Sequence, residues 1–324
     1  MTISNMKIIW IIIIAGIINS CEFHEFNEHS LLVPLTVTED PTLPSISING
    51  TLLHSETYGN PDSTMLVMLH GGPGSDFRSL LKNSAFADDG YFVVFYDQIG
   101  SGLSERKNAD VFTYKVFIDE LDAVIKYYRS SPTQKVVLVG QSWGAILATA
   151  YVNDFPDKIA GLILTEPGGF TWQHTKDYIN RSQSLELFGE GTNDYVYLDQ
   201  FLITSDDHNV LDYKAMLRMA ADTKVGNAEI PPFWRKGAVC SSASFEYVKN
   251  NPFDFTTNLN NYTTKVLFGY SELNSAYGKA HAELVSSAFP NVELIEFKGT
   301  GHSIPYFGWE EYYQASLIYL TEIL

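Results

Sequence analysis

The chain has 324 residues, 45% of them hydrophobic, and a formal net charge of −17, with 21 basic against 38 acidic side chains. Such a length suits one large globular domain, or a core domain carrying a substantial insertion. The acidic field repels phosphate backbones and excludes non-specific nucleic-acid binding, while the lack of internal repeats, low-complexity stretches and runs of like charge excludes a solenoid or a charged tail.

Residues 1–20 differ from the rest: Lys7 is followed by the apolar stretch Ile8 to Ile18, then Asn19, Ser20 and Cys21. The segment is short for a membrane span and reads as a secretory signal peptide. Ile18-Asn19-Ser20-Cys21 resembles a bacterial lipobox, with an unusual residue at Asn19; it implies a lipid anchor on Cys21. An uncleaved apolar anchor and ordinary cleavage nearby are the other two readings. All three export the domain, and the lipobox reading makes it a membrane-anchored lipoprotein facing the periplasm or the cell exterior. Cys21 and Cys240 are the only cysteines, so no disulfide framework is implied. The scattered histidines carry no metal-binding spacing, and neither a metal nor another cofactor is expected.

Residues 21–44, with Pro34, Pro41 and Pro44, read as a tether, and the domain is expected to begin at Ser45. Asn49-Gly50 between two alternating stretches predicts a hairpin with a type I′ turn. Apolar runs at Met65–Leu69, Tyr91–Tyr96, Lys135–Val139 and Ile159–Leu164 are separated by helix-length segments, the pattern of an α/β fold with a buried, mostly parallel sheet flanked by helices. Phe117, Leu121, Ile125 and Tyr128 share one helical face. A helix is expected to follow Ser142. Residues 170–258 break the rhythm and read as an inserted helical cap, so that 45–169 and 259–324 form one core. The rhythm resumes with strands at Lys265–Phe268 and Val292–Phe297, a helix from about Tyr277 to Phe289, and a closing helix from Trp309.

Chemistry concentrates at the ends of these strands. Gly140-Gln141-Ser142-Trp143-Gly144 sits at a strand–helix junction, the context in which Gly-x-Ser-x-Gly makes a nucleophile elbow with Ser142 raised into a cleft. His70-Gly71-Gly72-Pro73-Gly74 follows the first long strand. In that position the backbone N–H of Gly72 would join that of Trp143 in an oxyanion hole, with His70 a structural residue. His302, after the last strand, is the candidate general base. Glu272 is the carboxylate after the strand Lys265–Phe268 and is the candidate acid orienting His302, with Asn274 nearby as another group able to orient it.

Together with Asp97-Gln98-Ile99-Gly100-Ser101-Gly102-Leu103-Ser104, these motifs resemble the proline iminopeptidase branch of the α/β-hydrolases over about residues 64–166 and again over 262–303. The resemblance implies the α/β-hydrolase fold with a cap, and a serine aminopeptidase that forms an acyl-enzyme and releases an N-terminal residue from short peptides. An esterase on the same triad, and a non-catalytic hydrolase-like binding module, are the alternatives. Three departures stand out. The branch usually carries arginine where Ile99 stands and aspartate where Glu272 stands. Its cap grips the substrate amine with carboxylates, in one common form a glutamate after tryptophan, whereas here Gln173 follows Trp172 and Arg235 follows Trp234. Glu229 and Glu246 remain as cap candidates by region.

Overall fold

The computed structural model describes residues 32–182, 206–217 and 225–324. The leader with Cys21, and the cap aromatics Phe188, Tyr195, Tyr197 and Phe201, lie outside the described residues.

Eight strands form one sheet: β1 (Ser45–Ile48), β2 (Thr51–Tyr58), β3 (Met65–Leu69), β4 (Phe92–Tyr96), β5 (Val136–Gln141), β6 (Gly161–Thr165), β7 (Val266–Ser271) and β8 (Val292–Phe297). Their spatial order is β1-β2-β4-β3-β5-β6-β7-β8. β2 pairs antiparallel with β1 and β4, and every other pairing is parallel. Asn49 and Gly50 both take positive φ, 51° and 79°, as the hairpin between β1 and β2 requires.

Strand alternation divides the core between the two faces of the sheet. Met65, Val67 and Leu69 pack into one apolar cluster with Val94, Leu138 and Leu164, while Leu66 and Met68 pack into another with Val93, Val137 and Ile163. Water reaches neither face, which is why these strands read as continuous apolar runs. Helix α1 (Tyr114–Tyr128) buries Phe117, Leu121 and Ile125 and is capped by the Thr113 side chain, which accepts from the Val116 N–H. Helix α2 (Trp143–Asp154) is buried along nearly its whole length.

Between β6 and β7 the described chain is helical: α3 (Trp172–Ser182), α4 (His208–Leu217) and α5 (Ala238–Asn250). Helices α6 (Gly278–Ser286), α7 (Ile304–Phe307) and α8 (Trp309–Ile323) complete the core. Arg235 and Asp212, both fully buried, fasten the inserted segment. Asp212 accepts from Arg235 Nε at 2.7 Å, Arg106 Nε at 2.8 Å and the Ala238 N–H at 2.8 Å. Arg235 also donates to Pro34 O at 2.7 Å, and Val37 N–H to Leu103 O at 2.8 Å. The folded body therefore starts at Val33, with Val33, Thr36 and Val37 buried, and not at Ser45. Prolines made residues 33–44 look like a tether, but their apolar side chains have a surface to cover.

Candidate active site

Strand β5 ends in Gln141, and the chain turns at Ser142 with φ 56° and ψ −119° before entering α2. This is a strained backbone for a residue with a Cβ. Close packing makes it possible. A Cβ on Gly144 would lie 2.0 Å from the Leu69 carbonyl oxygen, and one on Gly140 2.5 Å from the Gly144 carbonyl oxygen. The Ser142 N–H is held by Thr165 O at 2.8 Å. Trp143 opens the helix, so its N–H is among the four that lack an intrahelical acceptor, at the positive end of the helix dipole.

His302 follows β8, its N–H donating to Val225 O at 2.8 Å. Its Nδ1 lies 2.7 Å from Oε2 of Glu166. Glu166 is fully buried at the end of β6, with a left-handed φ of 42° that a residue before proline seldom adopts. Three further donors converge on its carboxylate: Ser271 N–H at 2.7 Å, Ser271 Oγ at 2.5 Å and Asn274 Nδ2 at 2.7 Å. A group surrounded only by donors acts as an acceptor-only carboxylate, which puts the His302 proton on Nδ1 and leaves Nε2 basic.

The expectation for Glu272 is corrected here. Its side chain is exposed and is taken up by the Gly299 N–H at 2.9 Å and Lys298 Nζ at 3.5 Å, contacts that hold its pKa below the ordinary glutamate value. Strand parity explains the difference. Ser271 faces the cleft and donates to Glu166, so the next residue faces away. Asn274 orients the acid rather than the histidine.

Gln98 joins the two glycine-bearing loops. Its Oε1 accepts from Trp143 Nε1 at 2.8 Å, its Nε2 donates to His70 O at 3.1 Å, and its N–H donates to His70 Nε2 at 3.0 Å. His70 is buried, with Nδ1 against Gly71 O at 2.8 Å, and takes no part as a base. Asp97 is a buried brace as well, accepting from His54 Nδ1, Phe77 N–H and Leu103 N–H. Ile99 stands where the resembling branch usually has arginine, and Glu120 forms no ion pair among the described residues. Its carboxyl accepts only from the Ile99 N–H among the described contacts, and burial pushes its pKa up to about 8.

Ser142 and Gly72 line two adjoining cavities of opposite character. The first, of about 100 Å³, is apolar, walled by Phe112, Phe117 and Trp143 from the core and by Trp172, Phe245 and Phe253 from the inserted segment and its return to the core. The second, of about 220 Å³, is more polar, its mixed lining containing His302, Asp76, Glu229 and Lys236 beside Ile230, Pro231 and Phe233. Glu229 is therefore brought to the cleft with Ser142. Glu246 is not: it sits exposed on α5 beside Lys249 and Asn250, lining neither cavity. Asp76 is buried, and its oxygens accept from the Arg78, Trp234 and Arg235 N–H groups.

An elbow serine, a histidine held by a buried carboxylate and a closely packed glycine loop meet at the strand ends of the sheet, and the chain belongs to the α/β hydrolase fold family, whose model matches residues 64–308. Among curated relatives it is 38% identical over 104 residues to a proline iminopeptidase of Thermoplasma volcanium, covering 32% of this chain and 35% of that protein. A proline iminopeptidase of Pestalotiopsis fici, PfmaB, is 23% identical over 274 residues, covering 80% and 92%. The solved proline iminopeptidase of Mycobacterium smegmatis superposes with a TM-score of 0.59 at 17% identity, covering 86% of this chain and 97% of that one. The stronger identity thus spans about a third of the relative's length.

Proposed function

We propose that the protein is a serine hydrolase of proline iminopeptidase type, releasing a small apolar N-terminal residue from short peptides through an acyl-enzyme. The observation that carries this is the Glu166–His302 pair beside Ser142 at the junction of an apolar and a polar cavity. Ser142 Oγ attacks the scissile carbonyl while His302 Nε2 takes its proton. Glu166 keeps the Nδ1–H tautomer and balances the imidazolium charge. The N–H groups of Gly72 and Trp143 receive the oxyanion, each worth about 2.7–4 kcal/mol in the transition state. His302 then gives the proton to the leaving amine, and water repeats the sequence on the acyl-enzyme.

The apolar cavity takes the side chain of the released residue, and Glu229 is the carboxylate available to its amine. A second reading, an esterase, draws on the apolar cavity itself, whose described lining holds no carboxylate to meet an amine. A panel of aminoacyl-naphthylamides beside short-chain p-nitrophenyl esters separates the two. Selective turnover of the prolyl or alanyl amides supports the peptidase, and turnover of esters alone overturns it.

Export belongs to the same proposal, supported by the apolar stretch Ile8 to Ile18 and by Cys21. Mass spectrometry of the mature N-terminus tests it, with an acylated Cys21 the expected species and an unacylated terminus elsewhere counting against the anchor.

A further inference from the structure

Among the described residues Lys236 is a cation with no ion-pair contact, in the polar half of the cleft. Its ammonium donates to Ser75 Oγ at 2.6 Å and forms no ion pair among the described residues. The acids that share its cavity do not neutralise it by contact. Asp76 spends its oxygens on three backbone N–H groups, and Glu229 is exposed. Burial lowers the Lys236 pKa, with the charge of Asp76 opposing this from a distance. A part-buried ammonium held this way gains from an anionic ligand that enters with the substrate.

The position of His302 decides which part of the substrate that is. The histidine must protonate the leaving group, so the leaving group departs on its side of Ser142. His302 lines the polar cavity and not the apolar one. We propose that Lys236, with Ser75, binds a carboxylate on the leaving group, so that the preferred substrates are short peptides whose free C-terminus lies just beyond the scissile bond. This rests on the serine-hydrolase reading and narrows it. The apolar cavity holds the released residue, and Lys236 meets the carboxylate of the departing amino acid.

The wild-type protein is tested first with prolylglycine against prolylglycinamide, which differ in the carboxylate alone. A kcat/KM ratio of roughly tenfold or more in favour of the acid is expected, carried mainly by KM. In Lys236→Met the ratio falls to about one, and Lys236→Arg restores part of it. Equal turnover of the two by wild type, or an undiminished ratio in Lys236→Met, overturns the assignment. Calorimetry on the Ser142→Ala protein tests the subsite without catalysis: N-acetylglycine binds at least several-fold tighter than N-acetylglycinamide, and adding Lys236→Met removes the difference. Should neither dipeptide be cleaved while a p-nitrophenyl ester is, the peptidase reading falls and the calorimetric comparison alone decides the carboxylate subsite.

Discussion

Replacing Glu166 with glutamine exchanges one oxygen for an NH2 group at nearly constant volume. Four donors face the native carboxylate, and the amide can satisfy only one side of it. Two of them, the Ser271 N–H and Oγ, meet Oε1, while His302 Nδ1 and Asn274 Nδ2 meet Oε2. The Ser271 N–H cannot turn away, and leaving it unmet costs about 1–3 kcal/mol, so the amide oxygen takes the Oε1 place. The NH2 then confronts His302 Nδ1 and drives the imidazole proton to Nε2, the tautomer that cannot accept from Ser142. The lost charge leaves the imidazolium unbalanced too. Together these predict a fall in kcat of roughly three to four orders of magnitude, about 4–5.5 kcal/mol, with little change in KM. Steady-state kinetics on the best ester or amide substrate measures it, and circular dichroism checks the fold. Glu272→Gln, altering an exposed side chain, should stay within about threefold of wild type. A Glu166→Gln enzyme as active as wild type, or a hundredfold loss in Glu272→Gln, would refute the assignment of the acid.

Ser142→Ala should lower turnover by three or more orders of magnitude while leaving the thermal midpoint unchanged; activity within tenfold of wild type would move the nucleophile elsewhere. Glu120 holds its proton in the fold up to about pH 8, against the ordinary 4.5 of a solvated glutamate. Its contribution is therefore full below pH 4.5 and erodes as pH rises through 8, by up to a few kcal/mol. Glu120→Gln should flatten that decline and raise the melting temperature at pH 8.5, and parallel curves for the two proteins would show that Glu120 is not the group responsible. Gly144→Ala sets a Cβ against the Leu69 carbonyl. It should abolish soluble expression or lower the thermal midpoint by roughly 10 °C, whereas a well-folded variant would mean that the elbow can relax.

The sheet, the elbow and the histidine were legible because each is dictated locally: buried strands by unbroken apolar runs, the elbow by glycines that neighbouring backbone would otherwise strike. The acid was not legible. Parallel strands β6 and β7 end side by side, with Thr165 paired to Gly269, so a carboxylate after either could reach the same histidine. The usable signal was strand parity: residue 272 must face opposite to 271, and Glu166, placed before Pro167 at the end of an apolar strand, is an acid that water does not reach. Residues 33–44 were misread for a related reason, since composition records prolines but not the surface on which Val33 and Val37 pack. Arg235 stands where a substrate-gripping glutamate was sought, and its partner Asp212 lies 23 positions earlier in sequence, a separation no local pattern reveals.

Gln98 has a consequence for how the site responds to its ligands. Because it is bonded both to the indole of Trp143 and to His70 at the root of the glycine loop, the strand-end segments that carry Gly72 and Trp143 are tied to a third. Pulling either segment away from Gln98 breaks a buried hydrogen bond. In the proposed mechanism the spacing of the Gly72 and Trp143 N–H groups is then set at folding rather than at binding. Selectivity must then arise on either side of this fixed frame, in the apolar and polar walls. Changes there can alter which acyl and leaving groups are accepted while the apparatus that stabilises the oxyanion stays as it is.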